Sequence, residues 1–264
     1  ISLNLKTCIG SYGLRSIYGN FSHSMGLNSG KSISYSLSYS DERAKNNFEY
    51  MFKNGQIESR RERENSEFNS QAFNFDLTYT PEKFSSLKLF TNYSHFERGV
   101  PGIDLGYSTG TARQIDYNFI SSISYNRKIN EKLLLKSDFG YNYALQKYFD
   151  PSTFNLSVKI NSYYKLNSIV TSHSMSYIPS GKFNIESGGE FSFNNIVSNE
   201  TEKGELYQAA LFSVSKIVVE VSRNSKVTFY PSVRYDYFSN IAERNVLTGK
   251  LGVNFQPFMN AEFH

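Results

Sequence analysis

Apolar and polar residues alternate one for one along most of this chain. Residues 32–40 put Ile33, Tyr35, Leu37 and Tyr39 on one side of the backbone and serines on the other. Successive side chains of a β-strand point to opposite faces, so this period of two predicts a strand with one apolar face. The pattern recurs in twelve segments: 1–9, 14–25, 32–40, 68–80, 87–96, 114–127, 133–147, 169–178, 183–196, 206–221, 227–238 and 246–258. Residues 260–264, NAEFH, begin to alternate again.

The connections sort by length. Turns at 26–30, 81–86, 128–132, 179–182 and 222–226 are tight, whereas loops at 41–67, 95–113, 148–168, 197–205 and 239–245 are longer, and the two series fall at opposite ends of the strands. The excursion around 94–116 carries Gly99, Pro101, Gly102, Gly106 and Gly110, which exclude a continuous helix or strand. The 41–67 segment mixes charges and has few apolar residues, so it reads as a solvated loop; a sharper reading has Arg60, Arg61 and Arg63 contacting a ligand. Residues 148–168 contain FNLSVKI, which alternates, but they are read here as a loop because that keeps the long–short order intact.

Phe, Tyr, Leu, Ile and Val occupy one face of the predicted strands, and Asn, Ser, Thr, Asp, Glu and Lys the other. A soluble sandwich packs the apolar face inward; an outer-membrane barrel turns it to lipid and keeps the polar face on a wet lumen. Periodicity is the same in both. Strand length favours the barrel, since spanning strands need about 9–11 residues and globular strands average five or six. So does the sorting of loops, for which a sandwich has no reason. The expected fold is therefore all-β: an antiparallel, up-and-down transmembrane β-barrel wall of about twelve strands. Phe75, Leu77, Leu89, Phe119, Ile123, Phe139, Leu251 and Val253 are expected on the lipid face. Asp116, Asp138, Glu186, Glu190, Arg234 and Asp236 are expected toward the lumen, either as a network of ion pairs or in contact with a passing solute.

Composition narrows this further. Hydrophobic residues make up 39% of 264 and the mean hydropathy is negative, so no run approaches the roughly 20 apolar residues of a spanning helix. Aromatics reach 16% without a single Trp, leaving Tyr for an interfacial girdle. Cys8 stands alone, which excludes an intrachain disulfide and a thiolate zinc cluster. A net charge of +4 with interspersed signs offers no nucleic-acid footprint.

Several stretches resemble the TonB-dependent outer-membrane receptors, above all the vitamin B12 (cobalamin) and siderophore receptors. They are RGVPG at 98–102 with ARQ at 112–114, PSVRYDYF at 231–238 with LTGKLGVNF at 247–255, the GSYG turn at 10–13, and SGGEFSF at 187–193. The resemblance implies a 22-stranded barrel with an N-terminal plug, driven by an inner-membrane energy-coupling complex. On that footing residues 1–264 are expected to be an internal part of the barrel domain, without the plug and the C-terminal strands.

Chemistry-bearing motifs are sparse. His23, His95, His173 and His264 show no metal-ligand spacing, and neither HExxH nor GxSxG occurs. Glu200, Glu202 and Glu205 offer carboxylates to calcium but no EF-hand spacing. Arg98, Tyr107 and Arg113 lie in and around the long excursion. Flat aromatic surface and charge-assisted donors there suit capture of an anionic or amphipathic solute; bracing of the loop by the two arginines is the other reading. The function expected is energy-coupled uptake of a scarce large solute, such as a metal chelate or cobalamin, at the cell outer membrane, with no enzymatic activity and no cofactor. A smaller barrel enzyme or porin, and a soluble β-rich binding or adhesion module, are the alternatives.

Overall fold

The computed structural model describes residues 1–27, 30–102, 110–151, 159–222, 225–240, 244–258 and 261–263. Its strands are β1 (Ser2–Ile9), β2 (Arg15–Gly26), β3 (Ser32–Ala44), β4 (Glu49–Asn54), β5 (Ile57–Glu62), β6 (Phe68–Thr80), β7 (Ser85–Val100), β8 (Ala112–Asn130), β9 (Leu133–Asp150), β10 (Ile160–Ser180), β11 (Phe183–Ser198), β12 (Gly204–Ser222), β13 (Ser225–Phe238), β14 (Asn245–Phe258) and β15 (Ala261–Phe263). A one-turn 3-10 segment, Ser11–Gly13, joins β1 to β2. Every strand of the main sheet pairs antiparallel with its neighbour in sequence, except that β3 pairs β6 across the inserted β4–β5 hairpin. The sheet is thus up-and-down, with the twelve expected strands and the short β15, and it is open, with β1 at one edge and β15 at the other.

The sequence reading fails at strand ends. Residues 41–67 are not a plain solvated loop: they hold the β4–β5 hairpin, which turns at Asn54–Gly55 with Gly55 at φ 60°. Asn-Gly supplies the positive φ that a tight hairpin needs, and the segment carries that signal within its charge. The excursion is shorter than expected, because β7 runs to Val100 and β8 starts at Ala112. Likewise β9 continues to Asp150 and β10 begins at Ile160, so most of 148–168 is strand.

Register assigns the faces. Tyr39, Phe73, Tyr93, Phe119 and Tyr143 lie in one cross-strand row, and Tyr35, Leu77, Leu89, Ile123 and Phe139 in another. The eight residues expected on the apolar face, from Phe75 to Val253, all share it. Asn20, Ser38, Asn74, Asn92 and Asn142 form a row on the opposite face, where Asn92 Nδ2 donates to Asn74 Oδ1 at 2.6 Å and Asn74 Nδ2 to Ser38 Oγ at 3.1 Å.

Among the described residues nothing covers the apolar face. The only hydrophobic residues buried among those described are Ala44, Ala112 and Ala210, and no large side chain is fully buried. Ile123, Phe139, Leu211 and Leu251 stand 44%, 46%, 65% and 65% exposed. A water-soluble sheet has to bury such a face against a second layer, and the described residues contain none.

The sheet is also strongly sheared. The row that crosses β6 at Phe75, five residues from Thr80, crosses β12 at Tyr207, fifteen residues from Ser222. Ten residues over six strand steps is roughly 33 Å along against 29 Å across, a tilt of about 45–50°, at or just above the steep end of the range of closed barrels. The six-residue hairpin strands, the eight-residue edge strand β1 and the three-residue β15 aside, the strands run 12 to 21 residues.

Candidate functional site

The longer connections gather at one end of the sheet, where two of them and the short Ser11–Gly13 turn are tied together. Lys45 and Asn46 donate their backbone N–H groups to the Tyr12 carbonyl at 3.0 and 3.1 Å, linking the Ser11–Gly13 turn to the root of the β4–β5 insertion. The Tyr12 and Phe48 rings meet edge to face at 6.1 Å. Ser66, buried, donates its hydroxyl to the Asn46 carbonyl at 2.8 Å. Asn65 donates its amide to the carbonyls of both Val100 and Ala112, each at 2.9 Å, clasping the root of the β7–β8 loop. The clasp requires glycine at 99: a Cβ there would run into the Asn65 backbone carbonyl.

The sequence-predicted site residues lie around this clasp, on two faces. Arg98 pairs across the ladder with Gln114 on the polar face; its guanidinium donates to Gln114 Oε1 at 2.9 Å, and Gln114 Nε2 donates to Asp116 at 2.9 Å. Tyr148 opposes Gln114 from β9, and burial raises its hydroxyl above the ordinary tyrosine value, with Asp150 adding to the shift. Arg113 opposes Gly99 on the other face and binds Glu67 at 2.5 Å. The structure therefore separates Arg98 from Arg113. Tyr107 lies outside the described residues.

The β4–β5 arginines are occupied internally. Arg60 pairs with Glu49, and the Arg61 guanidinium sits 3.8 Å from the centre of the Phe52 ring. Glu200 accepts from Ser162 at 2.8 Å, while Glu205 pairs with Lys203 and accepts from Asn195 at 3.1 Å. The Lys203 hydrogen bond, then its charge, hold the Glu205 carboxyl below the ordinary carboxylate range. No three His, Cys, Asp or Glu side chains among the described residues gather as a cation site. His173 bonds Thr171 and Ser137 at 3.0 Å each, and His95 stacks on Tyr117 at 4.7 Å, both on the apolar face.

Deeper on the polar face lies a charge network. Arg234 binds Glu190 at 2.7 Å and Asp236 at 3.0 Å. Asp138 accepts from Ser124 at 2.5 Å and pairs with Lys136 at 3.3 Å. Of the six charges expected on this face, Asp116, Asp138, Glu190, Arg234 and Asp236 each have a partner here.

An open, sheared antiparallel sheet with one apolar face and no core among the described residues has the architecture of a β-barrel wall, and solved structures share that fold. The sequence matches no protein-family model and no curated protein. The chain is similar in fold to the siderophore receptor PiuA from Acinetobacter baumannii (TM-score 0.60, 11% identity, 96% of this chain and 46% of that one). It is similar to a mutant of the ferric enterobactin receptor PfeA from Pseudomonas aeruginosa (0.64, 10%, 96% and 41%) and to the ferric-catecholate import receptor Fiu from Escherichia coli K12 (0.62, 9%, 96% and 50%). At these identities the likeness shows the fold, and the chain spans half or less of each receptor's length.

Proposed function

We propose that this chain forms part of the barrel of an outer-membrane receptor that takes up a siderophore-type metal chelate. The observation that carries the reading is the uncovered apolar face on a sheet that follows receptor barrel walls over 96% of its length. Lipid is the cover such a face fits. On β9 the outward run from Leu135 to Leu145 spans ten residues. That is about 33 Å along the strand and about 23 Å after the tilt, close to the ~25 Å apolar band of outer-membrane barrels. Tyr93, Tyr117 and Tyr143 lie toward the long-loop end of the band, where an aromatic girdle belongs.

On this reading the long loops face outward from the cell and the polar face lines the lumen. Arg98, Gln114, Asp116 and Tyr148 stand at the lumen mouth, where an anionic chelate would pass, and Arg113 with Glu67 holds the loop root. Coupling to an inner-membrane energy source and a barrel of 22 strands belong to the same proposal. Of the two solute classes raised by the sequence, the siderophore class has named structural neighbours in its support, and cobalamin is not carried further. A receptor has no need of a nucleophile or a metal cluster in this wall.

The test is fractionation and uptake. The full-length protein should resist carbonate washing of outer membranes and require detergent for release. In iron-starved cells its deletion should abolish accumulation of one labelled ferric chelate. Release by carbonate would sink the membrane reading; detergent release with unselective passage of small ions and sugars would make the protein a porin.

A further inference from the structure

Near its long-loop rim the apolar face carries a group of cations set among aromatic rings, Tyr143 below them and Phe149 and Tyr163 beside and above. Lys147 on β9 and Lys165 on β10 share that face: Lys165 pairs directly with Leu145, two residues from Lys147, so the two lysines are diagonal neighbours. Arg113 on β8 faces the same way, diagonal to Lys147 through the Ile115–Lys147 and Arg113–Phe149 pairs. The tilt brings all three to one level. Counted from the short-turn end of each strand, Lys147 is fourteen residues up β9, Lys165 fifteen up β10 and Arg113 seventeen up β8. Tyr143, ten residues up, lies just below, and the Lys165 ammonium sits 5.6 Å from the centre of its ring.

The acids on this side leave the lysines unmatched. Glu67 is taken by Arg113, and Glu97 is kept a strand away from Lys147 by Ile115. Among the described residues neither lysine is in an ion pair with a carboxylate. Adjacent like charges on one face repel, and an anion between them removes that cost. Ammonium groups set within an aromatic girdle stand at headgroup depth, where phosphate is the anion at hand.

We propose that Lys147 and Lys165, flanked by Arg113 and floored by Tyr143, bind the phosphate of a phosphorylated lipid headgroup in the outer leaflet. The proposal rests on the membrane orientation argued above and concerns the outside of the wall, apart from any solute path. Phosphate between the two ammonium groups gains charge-assisted hydrogen bonds, while acyl chains run down over Phe139 and Ile123.

The experiment uses the full-length protein, purified in a neutral detergent and delipidated. It is titrated with diphosphoryl lipid A, dephosphorylated lipid A or inorganic phosphate, and bound lipid is counted by native mass spectrometry. The Lys147→Gln/Lys165→Gln protein should bind the diphosphoryl lipid about tenfold more weakly or worse. Lys147→Arg/Lys165→Arg should retain binding, and Lys182→Gln, whose partner is Glu220 at the opposite rim, should leave it unchanged. Equal binding of phosphorylated and dephosphorylated lipid, or an unaffected double variant, overturns the site. Inorganic phosphate binding as tightly as the lipid would overturn the assignment to lipid. A protein released from membranes without detergent fails the membrane reading itself, whereas an integral protein without phosphate-dependent lipid binding fails only this one.

Discussion

Arg234 on β13 reaches over β12 to bind Glu190 on β11 at 2.7 Å. The residue it passes over is Ala210, which lies in the row between Glu190 and Asp236 and is only 4% exposed. A longer side chain at 210 would stand where the guanidinium crosses. The bridge therefore depends on three strands at once: an acid and a small residue in register, and a base one diagonal step away, all on the polar face.

That geometry sets the first prediction. With Arg234 and Glu190 both more than a third exposed, their coupling in a double-mutant cycle of Arg234→Met and Glu190→Gln should be about 1 kcal/mol, well below that of a dry ion pair. Ala210→Leu should cost roughly 1–3 kcal/mol by crowding the crossing. Guanidinium unfolding of the reconstituted protein measures both, and an Ala210→Leu protein as stable as wild type would mean that the bridge does not need the gap.

Adjacent residues on opposite faces give the second. Ile123→Arg should cost about 2–4 kcal/mol near the middle of the bilayer, whereas Ser122→Arg, on the polar face, should cost little. The two substitutions share a strand, a neighbourhood and a new side chain, so only the face differs. Equal stability of the two variants in liposomes would remove the lipid assignment of the apolar face.

Much of this wall is written in the sequence, because one apolar and one polar face impose period two on every strand. Phe119 and Asn118 could be assigned to faces from alternation alone. Where the wall rises out of the apolar band, both faces are wet and the code stops while the hydrogen-bonded ladder continues. This is why β9 beyond Lys147 and β10 before Ser168 read as loop. It is also why Glu49–Glu62 reads as a charged connection although Asn54–Gly55 marks its turn. The Arg98–Arg113 separation was legible in principle, since residues of opposite parity on one hairpin take opposite faces, but only once the register Arg98–Gln114 is fixed. The Asn65 clasp has no such signal; it comes from a chain segment folding over a glycine thirty-four residues away.

Loss of that clasp is the third prediction. Asn65→Ala removes two hydrogen bonds to carbonyls and should cost about 1–2 kcal/mol, and Gly99→Val should cost about 1–3 kcal/mol by pushing the Asn65 backbone away. Both should speed proteolysis of the β7–β8 loop in intact cells. If cleavage there is unchanged while global stability falls, the clasp supports the wall and not the loop.

The fourth concerns acid. Lys203 holds the Glu205 carboxyl below its ordinary value, so the contact contributes order that is complete above the ordinary carboxylate range and is lost as pH falls through the depressed one. Hydrogen exchange at residues 199–203 should stay slow through mildly acidic pH and accelerate only below it, and Lys203→Gln should shift the change to higher pH. An identical profile in the variant would assign the order to the Asn195 contact instead.

The last prediction divides the loop-root arginines by face. Arg98 shares the polar face with Gln114 and Asp116, so on the proposed reading its charge is offered to the lumen mouth, only partly used by Gln114. Arg113 points the other way and is paired with Glu67. Arg98→Gln should therefore weaken binding of an anionic ferric chelate by full-length receptor about tenfold, the worth of one charge-assisted contact, with surface expression unchanged. Arg113→Gln should leave affinity within about twofold, since a largely exposed ion pair is worth at most about 1 kcal/mol, and should act on loop proteolysis instead. Tyr107→Ala, in the same loop, reports whether aromatic surface adds to capture. If Arg113→Gln loses affinity and Arg98→Gln does not, the solute is met on the outer side of the loop, and the lumen mouth is not its first contact.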